Sequence, residues 1–111
     1  MTQDKKTEEQ IAQLQLVEQN LQNFLIQKQS FQTQLLEINN ALKEMDSSKD
    51  KVYKIIGTVM VATNKETLSK DLNEKKELLN LRIKNIEKQE KDLKEKGSKI
   101  QEEVIKKLKH E

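Results

Sequence analysis

The chain has 111 residues, of which 36% are charged, 33% hydrophobic and 3% aromatic, with no proline and no cysteine. Average globular domains hold roughly 45–50% apolar residues, so there is too little apolar material here for a layered core. Without cysteine there is no disulfide frame, thiolate zinc site or thiol nucleophile, and 21 basic against 19 acidic residues leave a net charge of only +2.

Such polarity also suits a disordered chain, and only the spacing of the apolar residues decides between the two. Between residues 14 and 45 that spacing is clear. Leu14, Leu21, Lys28, Leu35 and Leu42 form one row, and Val17, Phe24, Phe31, Ile38 and Met45 form a second. The alternating steps of three and four make a heptad seam, and Gln and Asn fill the positions between. A helix is expected over about residues 7–46. The polar run Asp46-Ser47-Ser48-Lys49-Asp50 is expected to break it.

The period then changes. Val52-Tyr53-Lys54-Ile55-Ile56 and Val59-Met60-Val61-Ala62-Thr63 are rich in β-branched residues and flank Gly57-Thr58. A two-residue loop with glycine first fits a type II′ hairpin turn, because glycine accepts the positive φ required there. The expected hairpin spans 52–63, with its turn at 57–58, Ile56 opposite Val59 and Lys54 opposite Val61. Thr63-Asn64-Lys65-Glu66 reads as a capping box, Thr63 serving as N-cap. A second helix is expected over about 64–109. Leu72, Leu79, Ile86, Leu93 and Ile100 make one firm row, whereas Lys76, Ile83, Glu90, Gly97 and Val104 make a patchy one.

Folding the chain back at its middle pairs residues whose numbers share a constant sum. Leu14 meets Ile100, Leu21 meets Leu93, Leu35 meets Leu79 and Leu42 meets Leu72, and the second rows obey the same rule. The midpoint of that sum is Gly57, the first residue of the turn. The expected fold is mainly α with a small β part: an antiparallel two-helix coiled coil joined by a central β-hairpin, one domain over 1–111. Lys28 and Glu90 both occupy seam positions and can pair with each other. Buried polar groups of this kind more often set register than perform chemistry.

The helices cover each other, but the hairpin cannot be covered by them, since they begin on either side and run away from it. Val52, Tyr53, Ile55, Ile56, Val59, Met60 and Val61 place apolar groups on both of its faces. An isolated two-stranded ribbon is marginal in water, and both edges offer unpaired N–H and C=O groups. Assembly resolves this: hairpins from several chains complete a shared sheet or a closed intersubunit β-barrel. Towards the termini the seam weakens. Ile11, Leu14, Leu16, Val17, Ile100, Val104, Ile105 and Leu108 there are candidates for binding exposed apolar chain segments. Scattered surface leucines are also ordinary and require no ligand.

No catalytic, cofactor-binding or metal-binding set is found. His110 is the lone histidine and reads as a solvated tail residue, and no glycine-rich phosphate loop or serine elbow occurs. The lysines of residues 68–111 alternate with acidic residues, 13 basic against 10 acidic, so nucleic acid is not an expected partner. No run approaches the roughly 20 apolar residues of a membrane span, and the N-terminus lacks the apolar stretch of a secretory signal. A cytoplasmic protein with no membrane partner is expected.

Taken in order, the Gln-rich first helix with Gln27-Lys28-Gln29, the central Val52-Tyr53-Lys54-Ile55-Ile56-Gly57-Thr58-Val59-Met60-Val61, and the later run Leu81-Arg82-Ile83-Lys84-Asn85-Ile86-Glu87-Lys88-Gln89-Glu90 resemble prefoldin of the β class, archaeal type. The resemblance runs from about residue 10 to the C-terminus, and its single hairpin distinguishes it from the two-hairpin α class. It implies a hexamer of two α-type and four β-type subunits with a platform of hairpin β-barrels. It further implies a cofactor-free, ATP-independent chaperone whose arm tips hold unfolded polypeptides and pass them to a group II chaperonin. The alternative is a structural coiled-coil adaptor or scaffold without chaperone activity.

Overall fold

The computed structural model describes residues 5–47 and 51–109, and His110 lies outside them. Helix α1 (Lys5–Ser47) is followed by strands β1 (Val52–Ile56) and β2 (Val59–Thr63) and then by helix α2 (Lys65–Lys109). Two long helices with an antiparallel hairpin between them are thus the whole architecture of the described residues. The chain divides into a hairpin unit, Gln29–Ile83, and a terminal unit made from Met1–Lys28 and Lys84–Glu111.

In the hairpin unit, β1 pairs with β2 from Val52↔Thr63 to Ile56↔Val59, with Lys54 opposite Val61 as the β-branched runs require. Gly57 has φ of +61°, and no non-glycine residue among those described has positive φ. Positive φ at the first loop residue alone is the type II′ pattern; type I′ would require it at Thr58 as well. Met45, Leu79 and Ile83 are the buried apolar residues of this unit. Arg82 covers the Phe31 ring, its guanidinium carbon 5.8 Å from the centroid, which joins α1 to α2 by a cation–π contact.

One helix end differs from the expectation. The N-cap of α2 is Asn64 rather than Thr63: the Thr67 N–H donates to Asn64 Oδ1 at 2.7 Å, and Leu68 N–H donates to the Asn64 carbonyl at 3.1 Å. Thr63 is the last strand residue, paired with Val52, so the helix begins one position later than a Thr63 cap would require. At the end of α1, Asp46 and Ser47 remain helical; Ser48, Lys49 and Asp50 lie outside the described residues. Ser47 Oγ donates back to the carbonyls of Glu44 (3.1 Å) and Lys43 (3.4 Å), supplying partners to the last turn, and α1 ends there, within the polar run.

The terminal unit is closed by Val17, Ile86, Ile100 and Val104, all buried, with Leu14, Leu21, Phe24 and Leu93 half-buried beside them. At α2's far end Lys106, Lys107 and Lys109 occupy the last turn, where cations complement the helix dipole.

Candidate assembly and binding surfaces

Cross-strand partners share a face of the ribbon, so the register sorts the hairpin residues. Val52, Lys54, Ile56, Val59, Val61 and Thr63 lie on one face; Tyr53, Ile55, Met60 and Ala62 lie on the other. Within this chain neither face is covered. Ile55 is 69% exposed and Met60 64% on one side, and Ile56 is 57% exposed and Val59 59% on the other. Tyr53 and Val61 are exposed as well, and only Val52 and Thr63, at the base, are half-buried. A shallow hollow beside the base is lined by Ala41, Met45, Val52, Tyr53, Leu68 and Leu72. Since the sheet has only two strands, each strand has an open edge. An apolar ribbon with two wet faces and two free edges is an unfinished structure.

In the terminal unit the expected binding residues fall into two groups. Val17, Ile100 and Val104 are buried in the seam, and Ile11 and Leu14 are half-buried at its margin. Leu16, Ile105 and Leu108 are exposed. Heptad position explains the division. Val17, Ile100 and Val104 belong to the rows that face the other helix, whereas Leu16, Ile105 and Leu108 lie off them.

Polar groups also enter this seam. Lys28 Nζ donates to Glu90 Oε1 at 2.8 Å, with side-chain exposures of 22% and 11%, so the pairing suggested by their seam positions is formed. Sequence reasoning missed one other contact, that of Gln10, and anticipated the approach of Gly97 to Val17. Gln10 is buried, and its Nε2 donates to Glu103 Oε2 at 2.7 Å. Gly97 faces Val17 so closely that a Cβ there would stand 3.1 Å from Val17 Cγ1. A glycine inside a helix is penalised by about 1 kcal/mol relative to alanine, and this one lets the backbones approach. The signal was present: the arithmetic of the fold-back already placed Gly97 opposite Val17.

Among the described residues, no group of His, Cys, Asp and Glu is arranged to hold a metal ion, and no helix is long and apolar enough to cross a membrane.

Comparison with known proteins agrees with this geometry. The family model described as prefoldin subunit matches residues 8–111. The chain belongs to the prefoldin family. Prefoldin subunit beta of Pyrobaculum islandicum is 37% identical over 94 residues, which cover 83% of this chain and 75% of the relative. Prefoldin subunit beta of Archaeoglobus fulgidus is 35% identical over 96 residues, covering 85% and 83%. Among solved structures, that of the prefoldin beta subunit from Thermococcus strain KS-1 superposes with a TM-score of 0.87 at 34% identity, over 97% of each chain. Prefoldin is a chaperone family, not an enzyme family.

Proposed function

We propose that this chain is a β-type subunit of an ATP-independent holding chaperone, folding as one domain over residues 1–111. Its hairpin joins hairpins of neighbouring subunits in shared β-barrels, in a hexamer of two α-type and four β-type chains. The observation that carries the assembly is the exposure of Ile55, Ile56, Val59 and Met60 on both faces of a ribbon with two open edges. Strand pairing between chains satisfies the edge N–H and C=O groups and covers the apolar faces in one step. Unfolded polypeptides bind in the terminal unit, where Leu16, Ile105 and Leu108 are exposed and Ile11 and Leu14 half-exposed. Val17, Ile100 and Val104 join that surface wherever the seam parts. Release to a group II chaperonin in the cytoplasm follows from the family reading.

Two measurements test this. Native mass of the chain, alone and with an α-type subunit, is expected to give closed oligomers, and a stable monomer at micromolar concentration overturns the barrel. The oligomer is expected to suppress aggregation of a denatured protein, and removing residues 1–16 and 98–111 to abolish that while leaving the oligomer intact. A coiled-coil adaptor would show no suppression, and undiminished protection by the trimmed complex would refute the terminal binding surface.

A further inference from the structure

The two helices of the terminal unit turn different surfaces to water. On α1, Glu18 is the only charged residue among the exposed positions from 12 to 27; the rest are amides, Ala12, Leu16, Leu25 and Ile26. Across the same length of α2, from 87 to 102, lysine, glutamate and aspartate fill every exposed position except Gln89, Ser98 and Gln101. A chain with 36% charged residues thus keeps charge off one helix face over about four turns. Leu16 is 57% and Ile26 62% exposed on that face, and depletion of charge around exposed apolar groups is the composition of an interface core rather than of a solvated surface.

The order of these residues selects the occupant. Leu14, Val17, Leu21 and Phe24 face the seam, and Ala12, Gln19 and Ile26 follow one another every seven residues along the opposite side of α1. Gln15 and Gln22 flank that line on one side, Leu16 and Asn23 on the other. Such a surface complements itself. Set against a second α1 running the other way about a two-fold axis at Gln19, Ile26 meets Ala12 of the second copy, large against small, and Gln19 meets its own copy. Gln15 then lies beside Gln22 of the second copy, and Leu16 beside Asn23 of the second copy. Amides both donate and accept, so each glutamine pair can bond in either sense. No like charges face each other, and antiparallel helix dipoles attract. Parallel pairing would instead set Ile26 on Ile26 and Ala12 on Ala12, a wide layer and a narrow one in the same contact.

We propose that this outer face of α1 docks on the same face of a second copy of the chain, antiparallel and centred on Gln19. From Ala12 to Ile26 the face is about 21 Å long and about 10 Å wide. That is about a quarter of the ~800 Å² that each partner of a standard interface buries. One pair is therefore weak, and the contact gains its strength when chains joined through their hairpins engage several faces at once. In that respect it rests on the reading of the hairpin as the assembly element. Leu16 also belongs to the surface proposed for unfolded polypeptides, so a paired face is closed to them.

The test uses the assembled complex and exploits the lack of cysteine in the chain. Mild oxidation of Gln19→Cys is expected to link the chain to a second copy, and Lys91→Cys, exposed on α2, is the control that should not link. Leu16→Cys mixed with Asn23→Cys should link as well. Leu16→Cys alone should not, because its two copies stand about 9 Å apart along the helix axis, beyond disulfide reach. Charge gives an independent readout, by light scattering of association between complexes. Gln19→Glu sets like charges together at the axis and should weaken association about fivefold or more at about 50 mM salt. An equal mixture of Gln19→Glu and Gln19→Lys complexes should recover it, which only a face that meets its own copy allows. Native mass and helical circular dichroism should be unchanged in every variant. Linking of Leu16→Cys to itself overturns the antiparallel register. If Gln19→Cys links no faster than Lys91→Cys and the charge mixture recovers nothing, the docking surface is overturned while the hairpin oligomer stands. A parent chain that forms no oligomer sinks the assembly reading and this proposal together.

Discussion

Replacing Lys28 by methionine tests the energetics of the terminal seam most directly. The Glu90 residue is only 8% exposed, and in the parent its carboxylate is matched by an ammonium at 2.8 Å. Lys28→Met preserves the stem that packs in the seam and removes the charge, leaving a buried carboxylate without its counter-ion. Removing one partner from a fully buried pair costs about 3–5 kcal/mol. Here 22% of the Lys28 side chain reaches water, so water can enter where the ammonium stood, and about 2 kcal/mol is the expected loss. Glu90→Leu leaves the opposite orphan, but the lysine can extend its ammonium into solvent along its flexible stem. About 1 kcal/mol is expected. The double replacement Lys28→Met with Glu90→Leu leaves no charge behind and should lie within about 1 kcal/mol of the parent. A double-mutant cycle on the assembled protein at fixed concentration reads these differences, with about 4 °C of melting temperature per kcal/mol for a chain of this size. A double variant as unstable as Lys28→Met alone refutes the reasoning, since the loss would then be packing rather than an orphaned charge.

Three further expectations follow from the local geometry. Gly57→Ala forces an L-residue to positive φ where no neighbour lies within 4 Å of the new Cβ, so the loss of about 1–2 kcal/mol is purely conformational. It should appear as a weaker oligomer by dilution and native mass, with helical circular dichroism unchanged. Gly97→Ala gains about 1 kcal/mol of helix propensity but presses on Val17 Cγ1 at 3.1 Å, so it should be close to neutral alone. In a Val17→Ala background the same change should yield its full gain, and equal effects in both backgrounds would disprove the contact. Asn64→Ala should destabilise α2 by about 1 kcal/mol in thermal melts, while Thr63→Ala, one residue earlier, costs measurably less.

The hairpin and the helical seam were legible because each rests on a short-range pattern with a single geometric solution. Gly57-Thr58 between two β-branched runs fixes one register, and that register is present from Val52↔Thr63 to Ile56↔Val59. Rows at heptad spacing likewise placed Lys28 and Glu90 inside the seam, where they meet. What escaped the sequence reading was decided between neighbouring candidates by tertiary context. Thr63 and Asn64 are both good caps, and the strand claims Thr63 by pairing it with Val52. The run after Met45 contains residues that disfavour helix interiors, and α1 ends within it at Ser47, whose hydroxyl serves the carbonyls of the last turn. The candidate binding residues mixed two classes. Those on the heptad rows, such as Val17 and Val104, are buried, and those off the rows, such as Leu16 and Ile105, are exposed. Gln10 entered the terminal seam because Glu103 offers its amide a partner, a pairing invisible to any count of apolar residues.

The exposed hairpin also bears on how many neighbours the proposed assembly requires. Tyr53, Ile55, Ile56, Val59, Met60 and Val61 are each between 41% and 69% exposed in the single chain. Covering the exposed half of such a side chain contributes about 1 kcal/mol, so complete coverage of the six is worth about 6 kcal/mol per subunit. Bringing two chains together forfeits about 4–15 kcal/mol of translational and rotational freedom. A single neighbour pairs one edge and covers only part of the apolar surface, which leaves a dimer near or below the threshold of stability. With neighbours at both edges, every subunit gains twice, and the last contact closes without a further loss of freedom. The same uncovered ribbon that makes the lone chain incomplete therefore favours closed rings of several subunits over pairs.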